Sequence, residues 1–213
     1  MSGVYGLRLL ADIRVQRLAL LIVIAFALVY RVVQLPFGRE DLLGYDFENY
    51  WVAARHLLAG EPVYSAAQLA GPFAAQGQAG FVYPPALLVI VLPLAMLSPD
   101  SHLPAAGLWA VAGATILVAS VLALARAEDL QRRFPILAGR WVWLLVAAAF
   151  ALQPVVDELV NGNVNMLLVC LLTVGWLGLR RSAAAADSAG PAATGNGFGD
   201  AAAGVALGAA TLI

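Results

Sequence analysis

The chain has 213 residues, of which 62% are apolar and 12% charged, and its formal net charge is −1. A water-soluble domain of this length cannot cover so much apolar surface, so lipid is the solvent. Backbone groups in lipid need internal partners, and long unbroken apolar runs meet that need as helices, not as a barrel; nor does any basic stripe with interleaved aromatics point to nucleic acid.

Arg8, Arg14 and Arg17 precede the first apolar run, which opens at Leu18. No small-residue cleavage site follows it, only Gln34-Leu35-Pro36-Phe37. Residues 18–35 therefore read as an uncleaved first transmembrane helix with a cytoplasmic N-terminus. Residues 36–82 read as a long external loop. Inside it Phe47, Tyr50, Trp51, Ala54, Leu57 and Leu58 recur on one helical face, with Glu48, Asn49, Arg55 and His56 on the other. With Asp46 at the N-cap and Gly60 at the stop, this predicts an amphipathic helix over 47–59 lying on the membrane surface.

Further apolar runs at 83–97, 103–125, 141–152, 164–179 and 201–213 make 83–213 the region of the remaining transmembrane helices. The first of these is short, roughly 22 Å of helix against about 30 Å of hydrocarbon. If every run crosses, the loop carrying Arg126, Arg132, Arg133 and Arg140 falls outside, against the charge rule. A re-entrant 83–97 would restore it, and both arrangements stay open at this point. Residues 182–199 read as a flexible loop. The last run stops at Ile213 without a flanking polar residue, so a single membrane domain over 1–213, cut from a longer chain, is expected.

All basic residues are arginine, a composition that fits a GC-rich genome. Cys170 lies in an apolar run and reads as a small buried hydrophobe. His56 and His102 lack metal-ligand spacing, and no phosphate-cradling or dinucleotide-binding glycine motif is present. Nothing here demands a metal or cofactor.

Four motifs lie near expected membrane boundaries: Gly44-Tyr45-Asp46-Phe47-Glu48-Asn49-Tyr50-Trp51, Leu57-Leu58-Ala59-Gly60-Glu61-Pro62-Val63-Tyr64, Phe81-Val82-Tyr83-Pro84-Pro85 and Asn161-Gly162-Asn163-Val164-Asn165. In this order they resemble the polyprenol-phosphate-mannose-dependent mannosyltransferases, glycosyltransferase family 87 of the multi-spanning GT-C superfamily. That family's pattern is an Asp, an aromatic-rich helix ending in G-x-x-x-Y, then Y-P-P, then G-Q-x-N. Asn163 stands where the family usually has Gln, which keeps an amide but shortens its reach.

The resemblance implies an all-α integral membrane fold, the N-terminal half of a GT-C-like helical bundle. It also implies an inverting hexosyltransferase of the bacterial cell envelope, its site on the external face. The donor would be a polyprenyl-phosphate sugar, mannose above all, and the acceptor a lipid or glycan. Such transfer needs a base for the acceptor hydroxyl proton. Asp46 fits by position, and the resemblance points to the same residue; from residue type alone it reads as a helix cap. Tyr50 and Trp51 read as interfacial anchors or sugar-stacking rings, and Arg55 as a contact to the lipid phosphate or to a headgroup. Tyr83 reads as part of a proline-led helix start or as a wall of the site, and Asn163 and Asn165 as substrate-binding amides. Glu48 reads as a solvated first-turn acid, and Asp157 and Glu158 as boundary acids or part of a wet loop. The rival class is a non-enzymatic transporter or scaffold, but transporters place their polar features near mid-membrane, whereas these sit in loops.

Overall fold

The computed structural model describes residues 12–34, 43–65, 80–189, 201 and 204–206. Among them there are only helices and turns. Arg8, most of the expected final span and parts of the long loop (36–42 and 66–79) lie outside the described residues. Helix α1 (Ile13–Gln34) is followed by α2 (Tyr45–Ala59), a short α3 (Leu88–Leu97) and the long α4 (His102–Ala127). After a single turn of helix, α5 (Leu130–Arg133), come α6 (Trp143–Ala151), α7 (Gln153–Asn161) and α8 (Asn165–Ala189).

Three of these, α1, α4 and α8, are long and apolar enough to cross a membrane. A fourth crossing arises if Gly139–Ala151 and α7, bent by 67° at their junction, act as one span. The bend has a local cause. Pro154 has no N–H, so it cannot bond the carbonyl of Phe150, and Leu152 takes an extended backbone between the two helices. The 141–152 run is thus followed through Gln153-Pro154 by a second helix around a corner.

The ends of the helices separate by chemistry. At one end Arg17 donates to the carbonyls of Pro135 (2.8 Å) and Ile136 (3.0 Å) and lies over the Trp141 ring. There too Arg180 pairs with Glu128 at 3.1 Å, and Trp176 donates to the same carboxylate. The start of α1, the arginine-rich 126–140 loop and the lower part of α8 therefore share one side. At the other end the start of α2 meets the start of α4 and the end of α7: the N–H of Gly44 donates to the Val160 carbonyl at 2.7 Å, and His102 stands 3.9 Å from Glu48.

Helix α3 does not join the two sides. Its 10 residues reach about 15 Å, half a hydrocarbon core. Both of its ends are tied to the α2 region, through Tyr64 donating to the Tyr83 carbonyl (2.6 Å) and Trp51 donating to the Ser98 carbonyl (2.9 Å). Both ends of α3 thus lie against the α2 region, the placement that the re-entrant alternative expects. Pro85 starts the 3₁₀ turn Pro85–Leu87 that leads into α3, the helix-start role its type predicts.

Other expectations shift. Helix α2 begins at Tyr45, and its N-cap is Gly44 in the left-handed conformation (φ 74°), not Asp46. Asp46 lies inside the first turn, and the cap provides no side-chain bond. Gly60, also left-handed, ends the helix as expected. The buried face is Phe47, Tyr50, Ala53 and Ala54, while Leu57 and Leu58 are exposed, so α2 packs against α3, α4 and α7 through its first half. Residues 182–189 are helical where a loop was expected, because alanine, the best helix former, outweighs the polar residues around it.

The division of the ends makes a labelling prediction. In a Cys170→Ala background, Arg133→Cys should react with an impermeant maleimide from one side of the membrane and Asp100→Cys from the other. Labelling of both from the same side would contradict this fold.

Candidate active site

The first turn of α2 is pressed onto the turn between α7 and α8. Gly162 is left-handed (φ 75°), and a Cβ there would sit 2.7 Å from the Cβ of Phe47 and 3.6 Å from the Cα of Gly44. A Cβ on Gly44 would sit 2.7 Å from that of Ala106. Glycine is required at both places by conformation and by room. The Glu158 carbonyl accepts the N–H groups of both Gly162 and Asn163, each at 3.1 Å, and the Trp109 indole donates to the Asn163 carbonyl at 3.3 Å. Asn163 is thus held through its main chain, and its side chain is left to face α2.

That side chain meets Asp46. The Asn163 amide donates to Oδ2 of Asp46 at 3.1 Å, in a half-buried position. The amide fixes one carboxylate oxygen and leaves Oδ1 for another partner. A carboxylate oriented in this way, at the edge of a membrane bundle, can accept a proton from a hydroxyl brought against it.

Behind Asp46 is an aromatic core. Phe47 packs 5.5 Å from Trp109, centroid to centroid, and Tyr50 lies 5.1 Å from Tyr83 and 6.3 Å from Phe81 in edge-on geometry. Tyr64 packs on Phe81 in turn. The four sequence motifs, spread over more than 100 residues, therefore converge: the second and third through Tyr64 and Tyr83, the first and fourth through Asp46 and Asn163.

The predicted site residues fare differently. Asp46 and Asn163 are joined, and Asn165 opens α8 two residues further on, half-buried. Tyr83 is half-buried against Tyr50. Tyr50 itself is only 1% exposed, which places it in the core and not at a headgroup layer. Trp51 is committed to the Ser98 carbonyl and stands beside His102, so it acts as a brace between α2 and the start of α4. Arg55 lies over the Trp51 ring at 6.0 Å, nine residues beyond Asp46 and roughly 13 Å along the axis. The structure does not bring it to the carboxylate. Glu48 is exposed, as a first-turn acid should be. Asp157 and Glu158 belong to α7 and not to a wet loop.

Sequence reasoning named Glu158 as a boundary acid or part of a wet loop, and its main-chain carbonyl closes the Asn163 turn. Its position four residues before a helix-ending glycine was the available signal. Burial raises the Tyr50 phenol well above its ordinary range, with neighbouring Tyr83 and the charges of Asp46 and Glu158 adding to the effect, so this hydroxyl keeps its proton.

A profile of glycosyltransferase family 87 matches residues 81–213, more than half of the chain. The chain belongs to glycosyltransferase family 87. Membership brings the GT-C membrane fold and sugar transfer as the class of reaction, and GT-C enzymes in general take lipid-linked donors. The match contains Tyr83, Asn163 and Asn165 but not α2, so Asp46 rests on the geometry above and on its motif. No curated protein matches the chain, and no solved structure does.

Gly162→Ala tests the close approach. The left-handed backbone and the Phe47 contact together should lower stability by about 1–3 kcal/mol, read as a fall in the melting temperature of the detergent-solubilised protein. An unchanged melting temperature would show that the α2 contact is not tight.

Proposed function

We propose that this family 87 protein moves a hexose, mannose, from a polyprenyl-phosphate donor to a lipid or glycan acceptor with inversion at the anomeric carbon. Asp46 is the general base. The acceptor hydroxyl lies against its free oxygen and gives up its proton as the oxygen attacks the anomeric carbon. The bond to the lipid phosphate breaks, and the phosphate leaves as an anion that needs no strong acid. The Asn163 amide keeps the base in one orientation, which lowers the entropic barrier to attack.

The observation that carries this reading is the Asp46–Asn163 contact at the end of the bundle opposite the arginines. The arginine end includes Arg14, Arg17, Arg126, Arg132, Arg133, Arg140, Arg180 and Arg181. The positive-inside rule favours a cytoplasmic location for this end, which supports a site on the external face.

A second feature supports a lipid-borne donor. An apolar groove of about 360 Å³ runs between α3, α4 and α8, lined by Ile90, Leu94, Leu108, Trp109, Met166 and Leu167 among others. Its Trp109 wall is the residue that bonds the Asn163 carbonyl. A hydrocarbon tail resting there would bring its phosphate toward the same end as Asp46. A transporter would concentrate such polar contacts at mid-depth, and nothing in the Asp46 site favours that reading.

Asp46→Asn keeps the shape and removes the base. In the intact protein in membranes, hexose transfer from polyprenyl-phosphate mannose should fall by roughly 10²–10⁴-fold with little change in donor binding. Near-normal turnover would refute the assignment.

A further inference from the structure

A second opening lies beside α2. It is a cleft of about 350 Å³ between the outer face of that helix and the chain at Phe81. Its helical wall includes Tyr45, Glu48, Asn49 and Val52, whose spacing puts them on one face of α2. Phe81 closes the other side and packs its ring on Tyr50 and Tyr64 behind. The cleft is open, and the groups that line it are within reach of a ligand from outside.

Its position relative to Asp46 follows from helix geometry. Successive residues turn by about 100° around an α-helix, so Tyr45 and Phe47 flank Asp46 on its two sides. Phe47 packs on Trp109, a wall of the apolar groove described above. Tyr45 belongs to the cleft. Asp46 therefore stands between the two openings. Asn49, three residues on, lies on the same side of α2, and Cβ atoms at that spacing are about 5–6 Å apart. The cleft thus ends one side chain away from the carboxylate.

The lining has a chemical bias. Among the described residues that form it, Glu48 alone is charged, so a phosphate or another anion is repelled. Glu48 stands 3.9 Å from His102, too far for a hydrogen bond, and its carboxylate can only accept when ionised. The Asn49 amide donates to the Tyr45 carbonyl at 3.3 Å, which leaves its Oδ1 as a second acceptor. Tyr45 is 49% exposed and provides an aromatic ring at the rim. A hydrocarbon tail would bury these polar groups without partners. A sugar answers them all: its hydroxyls donate to the two acceptors, and its C–H face rests on the ring.

We propose that this cleft seats the acceptor sugar, with its ring on Tyr45 and its hydroxyls on Glu48 and Asn49. The assignment rests on the glycosyl-transfer reading and deepens it by dividing the substrates between two openings. Inversion requires the attacking hydroxyl and the leaving phosphate to lie on opposite sides of the anomeric carbon. A cleft and a lipid groove on the two flanks of Asp46 supply that arrangement. Tyr45, Glu48 and Asn49 hold the acceptor, and Asp46 takes its proton.

Octyl mannoside is the acceptor probe, with the intact protein in phosphatidylcholine nanodiscs. Its binding is titrated calorimetrically without donor, and its transfer kinetics with polyprenyl-phosphate mannose are measured separately. Tyr45→Ala, Glu48→Gln and Val52→Trp, which fills the cleft from its rim, should melt as the wild type does. Each should bind octyl mannoside roughly 10-fold more weakly and raise its KM to match, with the donor KM unchanged. Variants that bind the probe as the wild type does would overturn the proposal. So would a KM rise confined to the donor, or a wild type that does not bind octyl mannoside. Failure of the transfer reading looks different: the wild type binds the probe, the variants lose it, and no product forms.

Discussion

The docking of one glycine-flanked turn onto another organises this molecule. Helix α2 lies where it does because Gly44 gives its N–H to Val160 and because Gly162 leaves room for Phe47. Without that approach Asp46 and Asn163, 117 positions apart in sequence, would not meet. The contact also accounts for the missing side-chain cap on α2. An Asp at the N-cap would spend its carboxylate on its own backbone; the glycine cap leaves Asp46 within the first turn with its carboxylate turned to the fourth motif. Conformational freedom at two positions is what lets a carboxylate at a third meet the amide of Asn163.

The same arrangement gives each half of the bundle a distinct task. At the arginine end, guanidinium groups grip carbonyls, a carboxylate and an indole ring, tying α1 to the 135–141 loop and α8 to the end of α4. At the opposite end, aromatic rings replace charges. Phe47, Tyr50, Phe81, Tyr83 and Trp109 form one packed cluster, stiff enough to hold half-buried polar groups in place. Family 87 membership supplies the reaction class, and the two ends differ in what holds them, charges at one and rings at the other.

Much of this was legible in the sequence where periodicity was strong. The spacing from Phe47 to Leu58 announced α2, Gly60 announced its end, and Pro84-Pro85 announced a helix start. The start of α2 was misread because its cap is a tertiary device, a left-handed glycine bonded to a residue 116 positions away. Hydropathy could not tell whether the segment ending in α3 crosses, since an apolar helix looks the same whether it spans or turns back; the bonds of Trp51 and Tyr64 to its two ends are tertiary contacts that no hydropathy pattern shows. Ser182 to Ala189 was taken for a loop because small residues suggested flexibility, although alanine propensity favours helix. The burial of Tyr50 was hidden by its type, since tyrosine near a boundary usually keeps its hydroxyl wet.

The bend at Leu152 bears on the lipid around the protein. Pro154 leaves the Phe150 carbonyl without its helical donor, and a bare carbonyl is not tolerated in hydrocarbon. That carbonyl therefore needs a partner from water, a headgroup or a neighbouring protein group. The segment from Gly139 to Ala151 provides only about 20 Å of helix beneath it. That length is well short of a hydrocarbon core of about 30 Å, so the bent pair reaches across only when α7 completes it.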